Sequence, residues 1–134
     1  MPLAEVGDCL AALRRPAPAD APENPYRGVP LAERDQRFRD AVGLLTGHPE
    51  RLDPATRAWA VDRWDDLRAT TPWPGPPVWL HGDLHPHNLL VDDGRLSAVI
   101  DFGDLTAGDP ATDLAVAWML LDRRAREVLR AATD

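Results

Sequence analysis

The 134-residue sequence contains no lysine, because all of its 15 basic residues are arginine. It has one cysteine, Cys9, so no internal disulfide can form, a pattern typical of a reducing cytoplasm. No apolar run approaches the ~18 residues that a membrane span needs. The N-terminus also lacks the basic and apolar regions of a signal peptide. These absences predict a cytoplasmic protein with no membrane partner.

The charge balance narrows the class of partner. The formal net charge is −7 at pH 7, whereas a nucleic-acid partner would require clustered positive charge. An acidic surface attracts cationic small molecules instead. The length is that of one domain or part of one, so residues 1–134 are expected to form a single domain.

The first half of the chain is predicted to be helical. Apolar residues recur at helical spacing over residues 3–13 and again over residues 31–45. Asp53 followed by Pro54 is typical of a helix N-terminus, and this third helix is expected to end near residue 70. The prolines of residues 16–30 exclude regular structure and predict a loop.

Strand signals begin at residue 78. Residues 78–80 are a short apolar segment, and residues 89–100 contain two apolar segments separated by Asp-Asp-Gly, a strong hairpin signal. A last helical region is expected to bury an apolar stripe made of Leu114, Ala117, Trp118 and Leu121. Trp79 and Trp118 are expected in the core. The order of elements predicts an α+β fold that is mainly helical, with one small β hairpin.

Three polar residues stand at the ends of these predicted strands. Asp83 follows the first strand, Asn88 precedes the hairpin, and Asp101 comes directly after it. Because a hairpin brings its two ends together, Asn88 and Asp101 are expected to reach one cation. A carboxylate and an amide oxygen, completed by water and substrate phosphates, form the kind of partial site that Mg²⁺ prefers. Asp83, on its own loop, is then free to accept the proton of a substrate hydroxyl, a division of labour typical of phosphoryl transfer.

The motifs around these residues resemble a known family. The order His-x-Asp, four residues, Asn, an apolar strand and Asp-Phe-Gly looks like the paired catalytic motifs of protein kinases. Residues 81–88 (HGDLHPHN), 100–104 (IDFGD) and 108–115 (GDPATDLA) resemble more closely the aminoglycoside phosphotransferase family. In the last motif, Asp109 and Asp113 are interpreted as helix-start and loop-bracing residues. The resemblance implies the C-terminal lobe of a protein-kinase-like fold.

The resemblance implies an enzyme that transfers a phosphoryl group from ATP or GTP to a hydroxyl of a small molecule. A cationic antibiotic such as an aminoglycoside is the expected acceptor, and antibiotic resistance the expected role. Position by position, the resemblance implies that Asp83 is the catalytic base and that His81 orients its loop. Asn88 and Asp101 are implied as ligands of Mg²⁺ and of the cofactor, with Asp104 as a further acid beside the metal.

Two features that kinases use to hold a nucleotide are missing. The sequence has no G-x-G-x-x-G among its nine glycines and no lysine, whereas the nucleotide lobe of such enzymes supplies both. We therefore expect residues 1–134 to be a partial, C-terminal lobe without the nucleotide-binding N-lobe, inactive or nearly so alone. The surface that an N-lobe would cover predicts a homodimer or a separate N-lobe partner.

Two other functions stay open at this point. The chain could be a non-catalytic remnant of a kinase that binds a small molecule or a protein. The spacing of His81, Asp83, His85 and His87 also resembles a transition-metal cluster, which would indicate a metal-dependent hydrolase. That alternative is weaker, because no histidine follows His87 to complete a two-metal site.

Overall fold

The computed structural model describes residues 3–133. Two compact units are formed: the first combines the chain up to Gly28 with the chain from Gly75 onward, and the second comprises Val29–Pro74. Helices and two small antiparallel sheets make up the secondary structure, which confirms the predicted α+β class. Within the described range, the helices are all too short or too polar to cross a membrane.

The second unit is helical. A 3-10 turn, Leu31–Arg34, leads into α2, Asp35–Leu44, and α3 follows at Pro54–Arg68. Asp53 caps α3 as predicted, since its carboxylate accepts hydrogen bonds from the backbone N–H groups of the first turn. The rings of Phe38 and Trp64 stack with centroids 4.3 Å apart, which joins α2 to α3.

The first unit contains the remaining helices and its core. The helices are α1 (Leu3–Leu13), α4 (Ala111–Leu114), α5 (Val116–Leu120) and α6 (Arg123–Thr133). Helix α1 packs against α6. The buried side chains of α1, α5 and α6 form one apolar cluster with Leu84 and Leu121, which lie outside the helices. The helical members are Val6, Leu10, Val116, Ala117 and Ala125. This core lies beneath the loops that carry the polar motifs.

Two antiparallel strand pairs hold those loops in place. Strand β1, Val78–Leu80, pairs with β4, Thr106–Gly108. Strands β2, Leu89–Asp92, and β3, Arg95–Val99, form the predicted hairpin. Its turn has φ of 46° at Asp93 and 77° at Gly94, the left-handed conformations that a tight hairpin turn requires.

The prediction that Trp118 lies in the core is wrong. Its side chain is 71% exposed, and the guanidinium of Arg126 lies 5.8 Å from the centre of its ring. Ala117 and Leu121 are buried and Leu114 packs against the core, as predicted, although the helical region breaks between Leu114 and Val116. Val116 is buried instead, at 1% exposure, and Trp79 is half-buried.

The part of the proline-rich loop in the first unit, residues 16–28, is irregular but anchored; we call it the proline-rich segment. The backbone N–H of Ala17 donates to Pro77 O at 2.9 Å. Further along, the buried hydroxyl of Thr106 donates to Pro22 O at 2.8 Å. The segment therefore lies along both strands of the β1–β4 pair.

Candidate active site

The first loop of the site, residues 81–88, begins at a fully buried histidine. His81 has 0% exposure, and its Nε2 lies 2.8 Å from the carbonyl oxygen of Ile100. Its Nδ1 accepts a hydrogen bond from the backbone N–H of Asp83 at 3.3 Å. One tautomer, with the proton on Nε2, satisfies both contacts. His81 therefore fixes the backbone at Asp83 and connects it to the end of the hairpin.

A buried carboxylate braces this loop from below. Asp113 accepts hydrogen bonds from the backbone N–H of His81 at 2.7 Å and of Gly82 at 3.0 Å. Burial raises the pKa of Asp113, and the two N–H donors oppose that shift. The loop-bracing interpretation of Asp113 is confirmed.

The second loop of the site, residues 101–104, touches the first at Gly82. Gly82 has φ of 85°, and a Cβ there would lie 2.2 Å from the carbonyl oxygen of Asp104. Only glycine adopts this backbone freely and leaves room for the contact. The glycine of the His-Gly-Asp motif thus permits the two loops to touch.

Asn88 connects the first loop to the hairpin. Its side chain is 6% exposed, and its amide Nδ2 donates to the carbonyl oxygen of Asp83 at 2.9 Å. The backbone N–H of Ile100 donates to Asn88 O at 3.0 Å, so Asn88 lies next to the residue that precedes Asp101. With Nδ2 engaged, Oδ1 is the atom left to ligate a cation.

Asp101 has a strained backbone. Its φ is 62° and its ψ is 63°, and its side chain does not cap the 3-10 turn that follows, Phe102–Asp104. Non-glycine residues rarely adopt this conformation, which costs of order 1 kcal/mol or more and is concentrated at functional sites. A Cβ at Gly103 would lie 3.3 Å from Asp101 Oδ1, so glycine there leaves space around the carboxylate.

Sequence reasoning missed one residue of the site, Arg27. Its guanidinium pairs with Asp83 Oδ1 at 2.6 Å through Nη2 and with Asp104 Oδ2 at 3.4 Å through Nε. Asn24 Nδ2 donates to the other oxygen of Asp104 at 3.3 Å. The available signal was weak: Arg27 is the single basic residue between residues 16 and 30.

The histidines do not form the metal cluster that their spacing suggested. In the portion of the chain that the structure describes, no three His, Cys, Asp or Glu side chains are grouped to hold a metal ion. Both ring nitrogens of His81 are already engaged. His85 accepts from the backbone N–H of His87 at 3.2 Å, and His87 is exposed. These contacts disfavour the hydrolase alternative.

The oxygen donors, in contrast, fit a hard divalent cation. Asn88 leaves an amide oxygen available, and Asp101 presents a carboxylate with space beside it at Gly103. Amide and carboxylate oxygens, supplemented by water and phosphate, are the ligands that Mg²⁺ takes in phosphoryl-transfer sites. The residues present therefore suit Mg²⁺.

Comparison with known proteins identifies the family. The sequence model described as "Phosphotransferase enzyme family" matches residues 3–134. The chain belongs to this phosphotransferase family. The resemblance inferred from the motifs is thereby confirmed.

Individual relatives agree. The chain is 30% identical over 103 residues to an aminoglycoside 3'-phosphotransferase of Escherichia coli, covering 76% of this chain and 36% of that enzyme. It is 30% identical over 119 residues to a homoserine kinase of Rhodopseudomonas palustris (strain BisB5), covering 86% of this chain and 35% of that enzyme.

A solved structure shares the fold. The macrolide 2'-phosphotransferase of Brachybacterium faecium, crystallised as the apoenzyme, matches with a TM-score of 0.62 and 26% identity. The match covers 98% of this chain and 44% of that enzyme's chain. The chain thus spans less than half the length of these relatives.

Proposed function

We propose that this chain is the catalytic, metal-binding part of an ATP- and Mg²⁺-dependent kinase that phosphorylates a hydroxyl of a small molecule. The observation that carries the proposal is the hydrogen-bonded convergence of Asp83, Asn88 and the residue preceding Asp101. In phosphoryl transfer, catalysis depends on positioning and on charge neutralisation. These residues supply both.

In this proposal Asp83 is the general base. His81 and Asn88 hold its backbone from two sides, so the carboxylate projects from a fixed loop. A base positioned in this way orients the attacking hydroxyl and accepts its proton. His81, which has no exposure, acts only by positioning Asp83.

Asn88, Asp101 and Asp104 would hold the metal. Mg²⁺ bound there would neutralise negative charge on the phosphates of the donor. The strained backbone of Asp101 and the space beside its carboxylate support this role. The second loop would thus preorganise oxygen ligands on rigid backbone.

The nucleotide would be held mainly by residues outside this chain. The chain has no lysine and no glycine-rich phosphate loop, the two features that hold nucleotide phosphates in related kinases. We therefore expect little or no phosphoryl transfer by the 134-residue chain alone. Either ATP or GTP could serve as donor when a nucleotide lobe is supplied.

The proposed acceptor is a cationic small molecule such as an aminoglycoside. The relatives' names indicate aminoglycoside, macrolide and homoserine acceptors. The net charge of −7 favours a cationic acceptor among these. We place the reaction in the cytoplasm, because the lone cysteine suits a reducing compartment.

The test is isothermal titration with Mg²⁺, alone and with ATP, of the wild-type chain and of Asp101→Asn. Removing the carboxylate charge should weaken Mg²⁺ binding about tenfold or more. The matched control is Asp93→Asn, since Asp93 is also left-handed but lies in the hairpin turn. Asparagine tolerates that backbone at both positions.

The outcomes separate the candidates. Loss of Mg²⁺ affinity in Asp101→Asn but not in Asp93→Asn supports the proposed metal site. Equal affinity in all three proteins would contradict that site and favour a non-catalytic remnant. Addition of an aminoglycoside to the ATP-containing cell tests the acceptor. Steady phosphorylation of it by the 134-residue chain would contradict the expectation that a further lobe is needed.

A further inference from the structure

Arg27 joins two parts of the site that the sequence separates widely. It reaches Asp83 and Asp104 from 56 and 77 positions upstream. Its side chain is 30% exposed, and that of Asp83 is 38% exposed. The ion pairs are thus partly shielded from water, and they link the first loop to the second.

The position of Arg27 is determined by its neighbour, Gly28. The backbone N–H of Gly28 donates to Thr112 Oγ1 at 3.0 Å, and Gly28 O accepts from the backbone N–H of Asp109 at 2.9 Å. A Cβ on Gly108 would lie 2.2 Å from Gly28 O, so both glycines are required for this approach. The segment that carries Arg27 is therefore docked against the same region that braces the first loop.

The charges around Arg27 explain what it does there. Asp83, Asp101 and Asp104 place three carboxylates on two touching loops. Without a cation, the carboxylates of Asp83 and Asp104, which meet at the Arg27 guanidinium, repel each other and favour a more open arrangement. Arg27 supplies the compensating charge through a planar guanidinium that can serve two carboxylates at once.

The two contacts of Arg27 are unequal. The distance from Nη2 to Asp83 Oδ1 is 2.6 Å, a short charge-assisted hydrogen bond, whereas that from Nε to Asp104 Oδ2 is 3.4 Å. The weaker contact is made to the residue proposed as a metal ligand. The stronger one is made to the residue proposed as the base.

We propose that Arg27 is a positioning residue with two contacts of different kinds. It stays paired with Asp83 at all times, and it neutralises the charge of Asp104 only until a divalent cation binds there. The cation then competes with Arg27 for Asp104, and the guanidinium stays on Asp83. This inference rests on the proposed function, since it takes Asp104 as a metal ligand.

The test compares the affinity of the 134-residue chain for Mn²⁺, measured from the electron paramagnetic resonance signal of free Mn²⁺, in wild type and variants. Arg27→Gln removes the competing charge and should tighten binding about threefold to tenfold. Arg27→Lys retains the charge and should restore an affinity close to that of wild type. Unchanged or weaker binding in Arg27→Gln would overturn the inference.

Arg39→Gln is the matched control. Arg39 also bridges two aspartates, but in the second unit, and its replacement changes the net charge by the same amount. Its Mn²⁺ affinity should differ from wild type by less than about twofold. An equal gain in Arg39→Gln would mean that only the net charge matters, and would also overturn the inference.

A measurement on the wild-type protein avoids the question of whether the variants fold. The Nε–Hε resonance of Arg27 should shift as Mg²⁺ is added, because Nε loses Asp104, while that of Arg39 should not. An Arg27 signal that stays in place while Mg²⁺ binding saturates would rule the competition out.

Asp101→Asn separates the inference from the proposed function. When Asp101→Asn is added to Arg27→Gln, the double variant should no longer bind Mn²⁺ more tightly than wild type. If the gain persists without Asp101, Arg27 still competes with a cation at Asp104, but the proposed ligand set is wrong. If Asp101→Asn weakens binding and Arg27→Gln does not tighten it, the metal site stands and the Arg27 inference fails.

Discussion

Arg27 and Arg39 each bridge two aspartates, but their surroundings differ. Arg39 lies on α2 and pairs with Asp35 on the same helix and with Asp65 on α3. Arg27 lies on an irregular segment and pairs with Asp83 and Asp104 on two loops. The first arrangement joins two α-helices, whereas the second joins an irregular segment, a loop and the end of a 3-10 turn.

The carboxylates of the Arg39 cluster accept further hydrogen bonds from neighbouring side chains. Trp64 Nε1 donates to Asp35 at 2.8 Å, and Arg68 Nε donates to Asp65 at 2.8 Å. The Trp64 hydrogen bond is the main cause that lowers the pKa of Asp35, and the Arg68 hydrogen bond is the main cause for Asp65. Each of these carboxylates is paired with two arginines, which indicates a structural role.

The backbone around the Arg27 cluster adopts left-handed conformations that few residue types tolerate. Gly28 and Gly82 have positive φ, as does Asp101. The ion pairs look alike in the two clusters, so pairing by itself does not indicate function. The cluster around Arg27 differs in its backbone, which contains left-handed residues and positions that only glycine can fill. Such conformations cost folding free energy and are concentrated at functional sites.

The largest effect is expected from a substitution that breaks the contact between the two site loops. Gly82→Ala places a Cβ 2.2 Å from Asp104 O at a φ of 85°, so the free energy of unfolding should fall by about 2–4 kcal/mol. Gly43 lies in α2, close to Arg39, and a Cβ there meets nothing within 4 Å. Gly43→Ala should therefore raise stability by about 0.5 kcal/mol.

Urea unfolding followed by circular dichroism measures both changes. The Mn²⁺ affinity of Gly82→Ala should also fall, because Asp104 is displaced, while that of Gly43→Ala should not change. A Gly82→Ala protein as stable as wild type would show that the loops can separate without cost.

The next effect concerns the brace under the first loop, for which the Arg39 cluster has no counterpart. Asp113→Asn leaves one of two buried N–H groups, those of His81 and Gly82, without a carboxylate oxygen. The free energy of unfolding should fall by about 1–3 kcal/mol near pH 7. Thermal unfolding checks this, and the control is Asp109→Asn, because Asp109 Oδ1 accepts one hydrogen bond, from the N–H of Ala111, which an asparagine oxygen can also accept.

Asp113 also predicts a dependence on pH. Burial raises its pKa in the folded protein above the ordinary value of 3.8, so the folded state binds the proton more tightly than the unfolded state. The stability that this group contributes is therefore present below 3.8 and is lost as the pH rises to its raised pKa. The stability difference between wild type and Asp113→Asn should shrink over that range, and a difference that grows would contradict the direction of the shift.

The smallest effect is expected at the cap of α3. Asp53 accepts hydrogen bonds from Thr56 that lower its pKa, so its contribution to stability is present at neutral pH and lost as the pH falls below its usual range. Asp53→Ala should lower the melting temperature slightly at pH 7 and not at pH 3. The Mn²⁺ affinity should not change, because Asp53 belongs to the second unit and the proposed metal ligands belong to the first.

Local patterns predicted much of the fold. Local sequence sets the hairpin, the cap at Asp53 and the ends of α3. These features can therefore be predicted from a few neighbouring residues. The motif residues of the two loops were also predicted, because their spacing along the chain reflects where strands begin and end. The burial of Trp118 was predicted wrongly, because Val116 contributes to the core beside Ala117 and Leu121, and Trp118 is left at the surface against Arg126.

The sequence by itself determined the first three helices, the hairpin, the family and the residue types of the candidate site, because these follow from spacing over a few residues. Only the tertiary structure decided which distant groups meet. Arg27 reaches Asp83 and Asp104 because Gly28 and Gly108 allow two backbones to touch, and Asp113 braces the first loop from a helix that follows it by about thirty residues. Such contacts depend on the whole chain being folded, and no local pattern records them.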